Sequence, residues 1–96
     1  MVYFIASIKI NDPAGYDKYL EHVDEIFSKY KGEYLAVDSH PSVLEGKWNY
    51  TKCVLIKFNS KQDFNEWYYS EDYQKILKFR LGSATCDIVL VEGLKG

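Results

Sequence analysis

Two charged residues carry the clearest chemical potential in this sequence. Arg80 lies on the otherwise apolar stripe of a predicted helix, and Glu45 lies in a polar loop. The planar guanidinium could bind a substrate carboxylate or enolate, and Glu45 could act as a general base where it is shielded from water. A salt bridge between Glu45 and Arg80 would account for both residues without a substrate, because a buried guanidinium requires a nearby anion. The sequence leaves the catalytic and the structural interpretation open.

His40 is the third candidate catalytic residue, because an imidazole can exchange a proton near neutral pH. It precedes Pro41 in a loop, which is also an ordinary place for an exposed histidine. Asp38, Ser39 and His40 are consecutive, and neighbours in an extended chain point to opposite sides, so they do not predict a nucleophilic triad. The two histidines and two cysteines show no metal-ligand spacing, and we predict neither a metal nor a cofactor.

Aromatic side chains are the predicted ligand-binding residues, since their faces could line a pocket for a flat ligand. The four candidates are Tyr34, Trp48, Trp67 and Tyr73. Trp48 stands in a polar loop, and binding sites are often built on loops. Trp67 falls at helical spacing and is equally explained by core packing. The sequence has no glycine-rich phosphate loop, which argues against nucleotide binding.

Composition narrows the class of protein. Ninety-six residues form a single domain, residues 1–96, and 47% hydrophobic with 17% aromatic content argues against disorder. A net charge of −2 without a basic stripe argues against nucleic-acid binding. The sequence contains no apolar run of about 18 residues for a membrane span and no signal-peptide pattern at its start, so we expect a cytoplasmic protein. Cys53 and Cys86 lie in apolar strand-like runs, which predicts buried free thiols.

Hydrophobic periodicity predicts the elements that must position these residues. The predicted strands are Val2–Ile10, Glu33–Asp38, Lys52–Phe58 and Thr85–Glu92. A first helix should begin at Asp12-Pro13, with Asp12 as the cap and proline at the first helical position. Gly32 should end this helix in the left-handed conformation.

Helix signals are strongest between Phe58 and Leu81. Ser60 and Ser70 each precede acidic residues and are typical N-caps, so this stretch should contain two helical segments with a break near Ser70. Gly82 should end the second segment. One face of that segment should hold Tyr73, Ile76, Leu77, Arg80 and Leu81.

The elements follow the order βαββαβ, which predicts an α+β, ferredoxin-like sandwich with helices on one face of a four-stranded antiparallel sheet. The strands carry apolar residues for both faces, including Ile5, Leu35 and Leu55. An uncovered face of this kind would expose a larger apolar patch than a soluble monomer normally shows. Two copies packed sheet to sheet would cover it, so we predict a homodimer in the form of a dimeric α+β barrel.

The sequence also resembles a known family over almost its whole length. The residues that carry the resemblance are Asp12-Pro13, Tyr16, Tyr19, Gly32, Tyr34-Leu35, Leu44-Glu45-Gly46, Trp48, Phe58, Trp67-Tyr68, Ser70, Tyr73 and Arg80. They are similar to those of the DUF1330 family of small dimeric α+β barrel proteins. The resemblance implies a ferredoxin-like protomer, a dimer that closes two sheets into a barrel, and no established activity. The wider superfamily includes cofactor-free monooxygenases, haem-degrading enzymes and muconolactone-isomerase-like proteins, and that likeness is one of fold alone.

Two functions follow as expectations. The first is a small-molecule-binding protein with a pocket near Glu45, Trp48 and Arg80, one form of which is a cofactor-independent enzyme acting on a small carbonyl or carboxylate compound. The alternative is a non-catalytic interaction or regulatory domain whose homodimer is the functional unit. A ligand beside Arg80 would support the first function, whereas a filled, dry barrel would support the second.

Overall fold

A four-stranded antiparallel sheet with helices on one face forms the framework of the protein. The computed structural model describes residues 1–94. The elements in chain order are β1 (Val2–Ile10), α1 (Pro13–Phe27), β2 (Gly32–Asp38), β3 (Lys52–Phe58), α2 (Lys61–Tyr68), α3 (Glu71–Ser83) and β4 (Ala84–Glu92). The strand order is β2-β3-β1-β4. This is the predicted α+β, ferredoxin-like fold, with its second helix divided into α2 and α3.

Alternation along the strands gives the sheet two different faces. On the covered face, buried side chains of β1 and β3 pack against the helices. They are Val2, Phe4, Ala6, Ile8, Val54, Ile56 and Phe58. On the open face, Ile5 of β1 lies opposite Leu55 of β3 and Val89 of β4, and Tyr3 lies opposite Val91. No helix of residues 1–94 packs on the open face, where Val89 remains 56% exposed.

Both predicted serine caps of the divided helix are present. The Ser60 hydroxyl accepts the backbone N–H of Asp63 at 3.1 Å and begins α2. The Ser70 hydroxyl accepts the backbone N–H of Tyr73 at 3.1 Å and begins α3. Because each hydroxyl satisfies an otherwise unpaired N–H of a first turn, the break at Ser70 is part of the local sequence code.

Gly32 does not end α1, and this prediction was wrong. The helix ends at Phe27, and Gly32 is the first residue of β2 without a positive φ. A Cβ atom at Gly32 would lie 2.4 Å from Cζ of Phe27 and 2.7 Å from Cε1 of Phe58. Glycine is therefore required here by the close approach of two buried rings.

Gly82 does not end α3 either, because the helix continues to Ser83. The carbonyl oxygen of Ser83 accepts the backbone N–H groups of Asn11 and Asp12 at 2.8 and 3.0 Å, so this helix end is tied to the start of α1. Asp12 occupies the N-cap of α1 but its side chain makes no capping hydrogen bond. Leu81, expected on the buried face, is 64% exposed.

The two cysteines are free, as predicted, but both are half-buried and not buried as expected. Cys53 lies opposite Ser7 in the sheet register, whereas Cys86 lies opposite Ile8. Neighbouring residues of β1 point to opposite faces, so the two thiols lie on different faces of the sheet. That separation prevents a disulfide within the protomer.

Candidate ligand site

A cavity of about 530 Å³ lies between α1 and the covered face of the sheet. Its volume is within the range of small-molecule sites, about 300–1,000 Å³. The floor consists of strand residues Phe4, Ala6, Ile8, Val54 and Ile56. Ala6 has the smallest side chain of this row, so the floor is lowest near the middle of β1. The walls come largely from α1 and from the aromatic residues of the core.

Arg80 lies in the wall of this cavity and is only 3% exposed. One of its Nη atoms donates to the hydroxyl of Tyr68 at 3.4 Å, and its Cζ lies 6.0 Å from the ring centre of Tyr19. No carboxylate oxygen of residues 1–94 lies within 4.0 Å of the guanidinium. Burial alone would lower the pKa of Arg80, but Tyr73, Tyr19 and a hydrogen bond with Cys86 together outweigh burial and raise that pKa. Arg80 is thus a buried cation without an anionic partner in the described chain.

Tyr19 and Tyr73 form a buried hydroxyl pair beside Arg80. Their oxygen atoms are 2.7 Å apart, and either hydroxyl could donate. Burial raises the pKa of both phenols, and it also raises the pKa of neighbouring Tyr16 to about 12. These groups therefore stay neutral near Arg80, and they supply hydrogen bonds without supplying a counter-charge.

Trp67 also lines the cavity and is 1% exposed. Its ring lies 4.4 Å from that of Tyr73 and 5.7 Å from that of Phe58. Its Nε1 is buried and has no hydrogen-bond partner among residues 1–94. A buried indole N–H is usually paired, so this donor is an exception among the buried polar side-chain atoms of residues 1–94.

The more exposed side of the cavity has its own polar groups. The hydroxyl of Tyr34 donates to Asp24 Oδ1 at 3.1 Å, and the Nζ atom of Lys52 lies 5.3 Å from the ring centre of Tyr16. Burial lowers the pKa of Lys52. We call Tyr34, Asp24 and Lys52 the mouth of the cavity, because these side chains are far less buried than Arg80 and Trp67.

The predicted site residues divide into two groups. Arg80, Trp67 and Tyr34 line the cavity, and Tyr73 stands behind it through its bond to Tyr19. The other three predicted residues lie in the segment between β2 and β3 and do not line the cavity. They are Glu45, His40 and Trp48.

The predicted salt bridge between Glu45 and Arg80 is not formed, which corrects the structural interpretation of that pair. Glu45 is exposed in its loop. The hydroxyl of Tyr50, in the same loop, donates to Asp87 Oδ2 at 2.5 Å. Asp87 lies opposite Ser7 in the register, which places it on the open face, whereas Arg80 is buried beneath the covered face. The loop is thus attached on the other side of the sheet from Arg80.

His40 and Trp48 have local contacts of their own. The backbone N–H of His40 donates to Asp38 Oδ1 at 2.8 Å, which is a turn contact. The ring of Trp48 lies 5.2 Å from that of Tyr50. The predicted pocket near Glu45, Trp48 and Arg80 is therefore not assembled in the protomer, and the cavity forms from other residues around Arg80.

Sequence reasoning missed Lys52, Asp24 and Tyr19 as cavity residues. Lys52 could have been found, because it precedes Val54 and Ile56 at a spacing of two and so shares their face of β3. Asp24 and Tyr19 lie on α1, and only the packing of α1 over the sheet shows which of its residues reach the cavity.

Among residues 1–94, no group of three or more His, Cys, Asp and Glu side chains is placed to hold a metal ion. Of the helices in the same residues, none combines the length and hydrophobicity needed to cross a bilayer.

Comparison with protein families gives a match to DUF1330, a domain of unknown function, over residues 1–94. The chain belongs to this family. The match covers nearly the whole sequence and agrees with the resemblance found from the residues. Among curated proteins, none matches the sequence significantly.

Solved structures share the fold at low sequence identity. A protein of unknown function from Rhodopseudomonas palustris has a TM-score of 0.79 and 15% identity, with 99% of this chain and 83% of that chain covered. A dimeric ferredoxin-like protein of unknown function from a Jannaschia species has a TM-score of 0.75 and 12% identity, with 96% and 98% covered. A cofactor-independent oxygenase from Streptomyces nogalater, SnoaB, has a TM-score of 0.68 and 11% identity, with 99% and 94% covered. At these identities the likeness is one of fold.

Proposed function

We propose that this DUF1330 protein is a homodimer that binds a small carboxylate or carbonyl compound in the cavity between α1 and the sheet. The observation that carries the proposal is Arg80, a buried cation in the cavity wall without a carboxylate partner among residues 1–94. A buried charge of this kind is favourable only with an anion or several hydrogen bonds close by. A ligand carboxylate or enolate would supply both.

The charge balance of the cavity supports a ligand with a single negative charge. Arg80 and Lys52 contribute positive charge, and Asp24 at the mouth contributes negative charge. The remaining lining residues are apolar or neutral aromatic side chains with one serine. A small organic anion with a large apolar surface fits this combination better than a multiply charged compound.

The homodimer in the proposal rests on the open face. Leu55, Ile5 and Val89 lie side by side across three strands, and no helix of residues 1–94 covers them. Similar structures from a Jannaschia species and from Thermobifida fusca are described as dimeric ferredoxin-like proteins. Packing two open faces about a twofold axis would bury this apolar row, and it would leave both cavities on the outer, helical sides.

Calorimetric titration with 2-naphthoate, a planar aromatic carboxylate, tests the ligand proposal. We expect binding to the wild type and at least about tenfold weaker binding to Arg80→Met, because the charged hydrogen bond is lost. Lys75→Met is the matched control, since it removes an exposed cation from the same helix, and it should leave the affinity unchanged. The neutral 2-naphthamide should bind as weakly to the wild type as 2-naphthoate binds to Arg80→Met.

Equal binding of 2-naphthoate by the wild type and Arg80→Met would contradict the proposal. No binding of either compound would also contradict it and would favour the alternative function, an interaction domain whose homodimer is the functional unit.

A second candidate function is cofactor-independent proton transfer on the bound ligand, and Lys52 is the observation that favours it. Its amine lines the cavity, and burial lowers its pKa, so more of it is available as a base than of an exposed lysine. Phenylpyruvate offers a carboxylate for Arg80 and acidic protons beside its carbonyl group. In deuterated water, we expect the wild-type protein to speed deuterium incorporation at the methylene carbon next to the carbonyl group of phenylpyruvate. The Lys52→Met variant should lose most of this rate. Equal rates with and without protein would contradict this function.

A further inference from the structure

Lys52 is a half-buried lysine on the covered face of the sheet. It lies opposite the buried Ile8 of β1, and its side chain lines the cavity. Its Nζ atom lies 5.3 Å from the ring centre of Tyr16, and no carboxylate oxygen of residues 1–94 lies within 4.0 Å of it. The ring face of a tyrosine is a weaker partner for an ammonium group than a close carboxylate. The amine is therefore held at the cavity without an ion pair in the described chain.

Lys57 of the same strand gives the contrast. Its side chain is also half-buried, at 29% exposure, but it lies at the edge of the open face and its Nζ atom pairs with Glu33 at 3.4 Å. An ion pair engages the ammonium form of Lys57, which has no lone pair to offer a ligand. Burial instead lowers the pKa of Lys52, and the charge of Asp24 opposes that effect only in part. A larger fraction of Lys52 than of an exposed lysine is therefore the neutral amine, the form that attacks a carbonyl carbon.

Asp24 and Tyr34 place a proton-carrying group at the same mouth. Both line the cavity, and the Tyr34 hydroxyl donates to Asp24 Oδ1 at 3.1 Å, which orients the carboxylate. Asp24 is also close enough to Lys52 for its charge to act on the pKa of that amine. An amine that attacks a carbonyl group must pass its two protons to the departing oxygen, and a neighbouring carboxylate can carry them one at a time. The mouth therefore holds both a nucleophile and a proton carrier.

We infer that Lys52 binds an aldehyde or ketone covalently, as an imine on its Nζ atom, with the apolar part of the compound inside the cavity. The inference rests on the proposed function, because it takes the same cavity as the ligand site and names the carbonyl compound as the ligand class. The nitrogen lone pair forms a bond to the carbonyl carbon, and the two electrons of the C=O π bond move to oxygen. Both amine protons then pass to that oxygen, the C–O bond breaks, and one water molecule leaves. The step consumes no oxidant, reductant or further reactant.

Reductive trapping with 2-naphthaldehyde tests this inference on the wild type. Cyanoborohydride reduces an imine to a stable secondary amine, and peptide mass mapping then identifies the modified lysine. The other lysines of the chain are internal controls. We expect Lys52 to be modified at least about tenfold faster than Lys57 or the exposed Lys75, because binding in the cavity raises the local concentration of the aldehyde. Equal modification of Lys52 and Lys75 would overturn the inference.

Two variants and a competitor locate the reaction. Lys52→Arg keeps a positive charge but cannot form the imine, so it should lose this modification and leave that of Lys75 unchanged. Lys57→Arg is the matched control on the same strand and should be modified at Lys52 like the wild type. 2-Naphthoate at about ten times its dissociation constant should slow trapping at Lys52 about tenfold, because it fills the cavity. Trapping that bound 2-naphthoate does not slow would place the reaction outside the cavity and overturn the inference.

Oxygen exchange separates this role of Lys52 from that of a base. Each cycle of imine formation and hydrolysis replaces the carbonyl oxygen with one from water, whereas proton removal from carbon does not. In water enriched in oxygen-18, we expect the wild type to speed label incorporation at the ketone oxygen of phenylpyruvate, and Lys52→Arg to lose most of this rate. Deuterium incorporation without oxygen exchange would keep the proton-transfer function and reject the imine.

The outcomes also separate the inference from the proposed anion site. Binding of 2-naphthoate without trapping at Lys52 would keep the anion site and reject the imine. Trapping at Lys52 in a protein that does not bind 2-naphthoate would keep the imine and reject the role of Arg80. Because the peptide map uses the wild type, the test stands even if Lys52→Arg does not fold.

Discussion

The two faces of the sheet are built from the same alternating strands, yet they differ in what covers them and in the side chains they expose. On the covered face, helices bury the strand residues and leave a cavity above Ala6, and its lining includes Arg80, which has no carboxylate partner among residues 1–94. On the open face, Ile5, Leu55 and Val89 form an apolar row without a helix to cover it in residues 1–94. At the edge of the open face, Lys57 pairs with Glu33 at 3.4 Å within the protomer.

This contrast between the two faces bears on where a ligand and where a second copy of the protein would bind. A buried charge without a counter-charge is unfavourable, and on the covered face Arg80 is such a group in the wall of a cavity, as expected for a ligand site. An apolar surface with paired charges is instead typical of a surface that packs against another protein surface. We therefore propose ligand binding on the covered face and self-association on the open face.

The largest expected effect comes from a charge in the apolar row. Ile5→Asp should convert a dimer of twice 11.2 kDa into a monomer of 11.2 kDa, because each copy would bury an unpaired carboxylate at a cost of about 3–5 kcal/mol. Light scattering behind size-exclusion chromatography measures the mass. Leu81→Asp, on an exposed position of α3, is the control and should stay dimeric. A wild type that is itself monomeric at micromolar concentration would contradict this assignment.

The second-largest expected effect is a loss of stability at alkaline pH, caused by tyrosines of the covered face. Burial raises the pKa of Tyr16 to about 12 and raises the pKa values of Tyr19 and Tyr73 as well. The folded protein thus holds protons that the unfolded chain releases near pH 10, so stability is complete below that pH and falls as the pH rises further. Between pH 8 and pH 11, Tyr16 alone should account for about 1–1.5 kcal/mol of this loss. Urea unfolding at pH 8 and pH 11 measures it, and equal stability at both values would show that the phenols are not buried.

Substitutions at two glycines test how closely the side chains of the covered face are packed. Gly32→Ala should destabilise the fold by about 1–3 kcal/mol, since the new methyl group would overlap the rings of Phe27 and Phe58. Gly82→Ala is the matched substitution at a helical site with no atom within 4 Å of the new Cβ, and it should stabilise by about 0.5–1 kcal/mol. Thermal melts of both variants decide this, and a neutral Gly32→Ala would refute the close ring packing.

The smallest expected effect is a coupling of zero. Arg80→Ala and Glu45→Ala should have additive effects on the free energy of unfolding, within about 0.5 kcal/mol, because the two residues share no contact in the protomer. A double-mutant cycle by denaturant unfolding measures the coupling. A coupling above about 1 kcal/mol would mean that Glu45 contacts Arg80 after all.

Local rules predicted the elements well. Alternation identified Lys52–Phe58 with its observed bounds, and the serine caps at Ser60 and Ser70 located the helix break. These signals lie within a few residues of the structure that they specify. Gly32 and Gly82 were misassigned because a glycine signal does not say whether a left-handed turn, a crowded approach or neither is present.

The site was predicted less well, because it depends on contacts between distant residues. Arg80 was identified as an unusual residue on an apolar stripe, and it is buried as that position implies. Its expected partner Glu45 was chosen by charge alone, and the sequence gives no information on which side of the sheet the loop of Glu45 attaches. The cavity itself arises where α1 passes over Ala6, which no pattern along the chain describes.

The stoichiometry of 2-naphthoate binding, measured by calorimetry, tests most directly whether the two faces have separate tasks. If the ligand binds beneath α1, the wild type should bind one molecule per protomer, and the monomeric Ile5→Asp variant should bind one molecule with similar affinity. One molecule per two protomers, or binding that disappears together with the dimer, would locate the ligand between the two sheets and contradict the account.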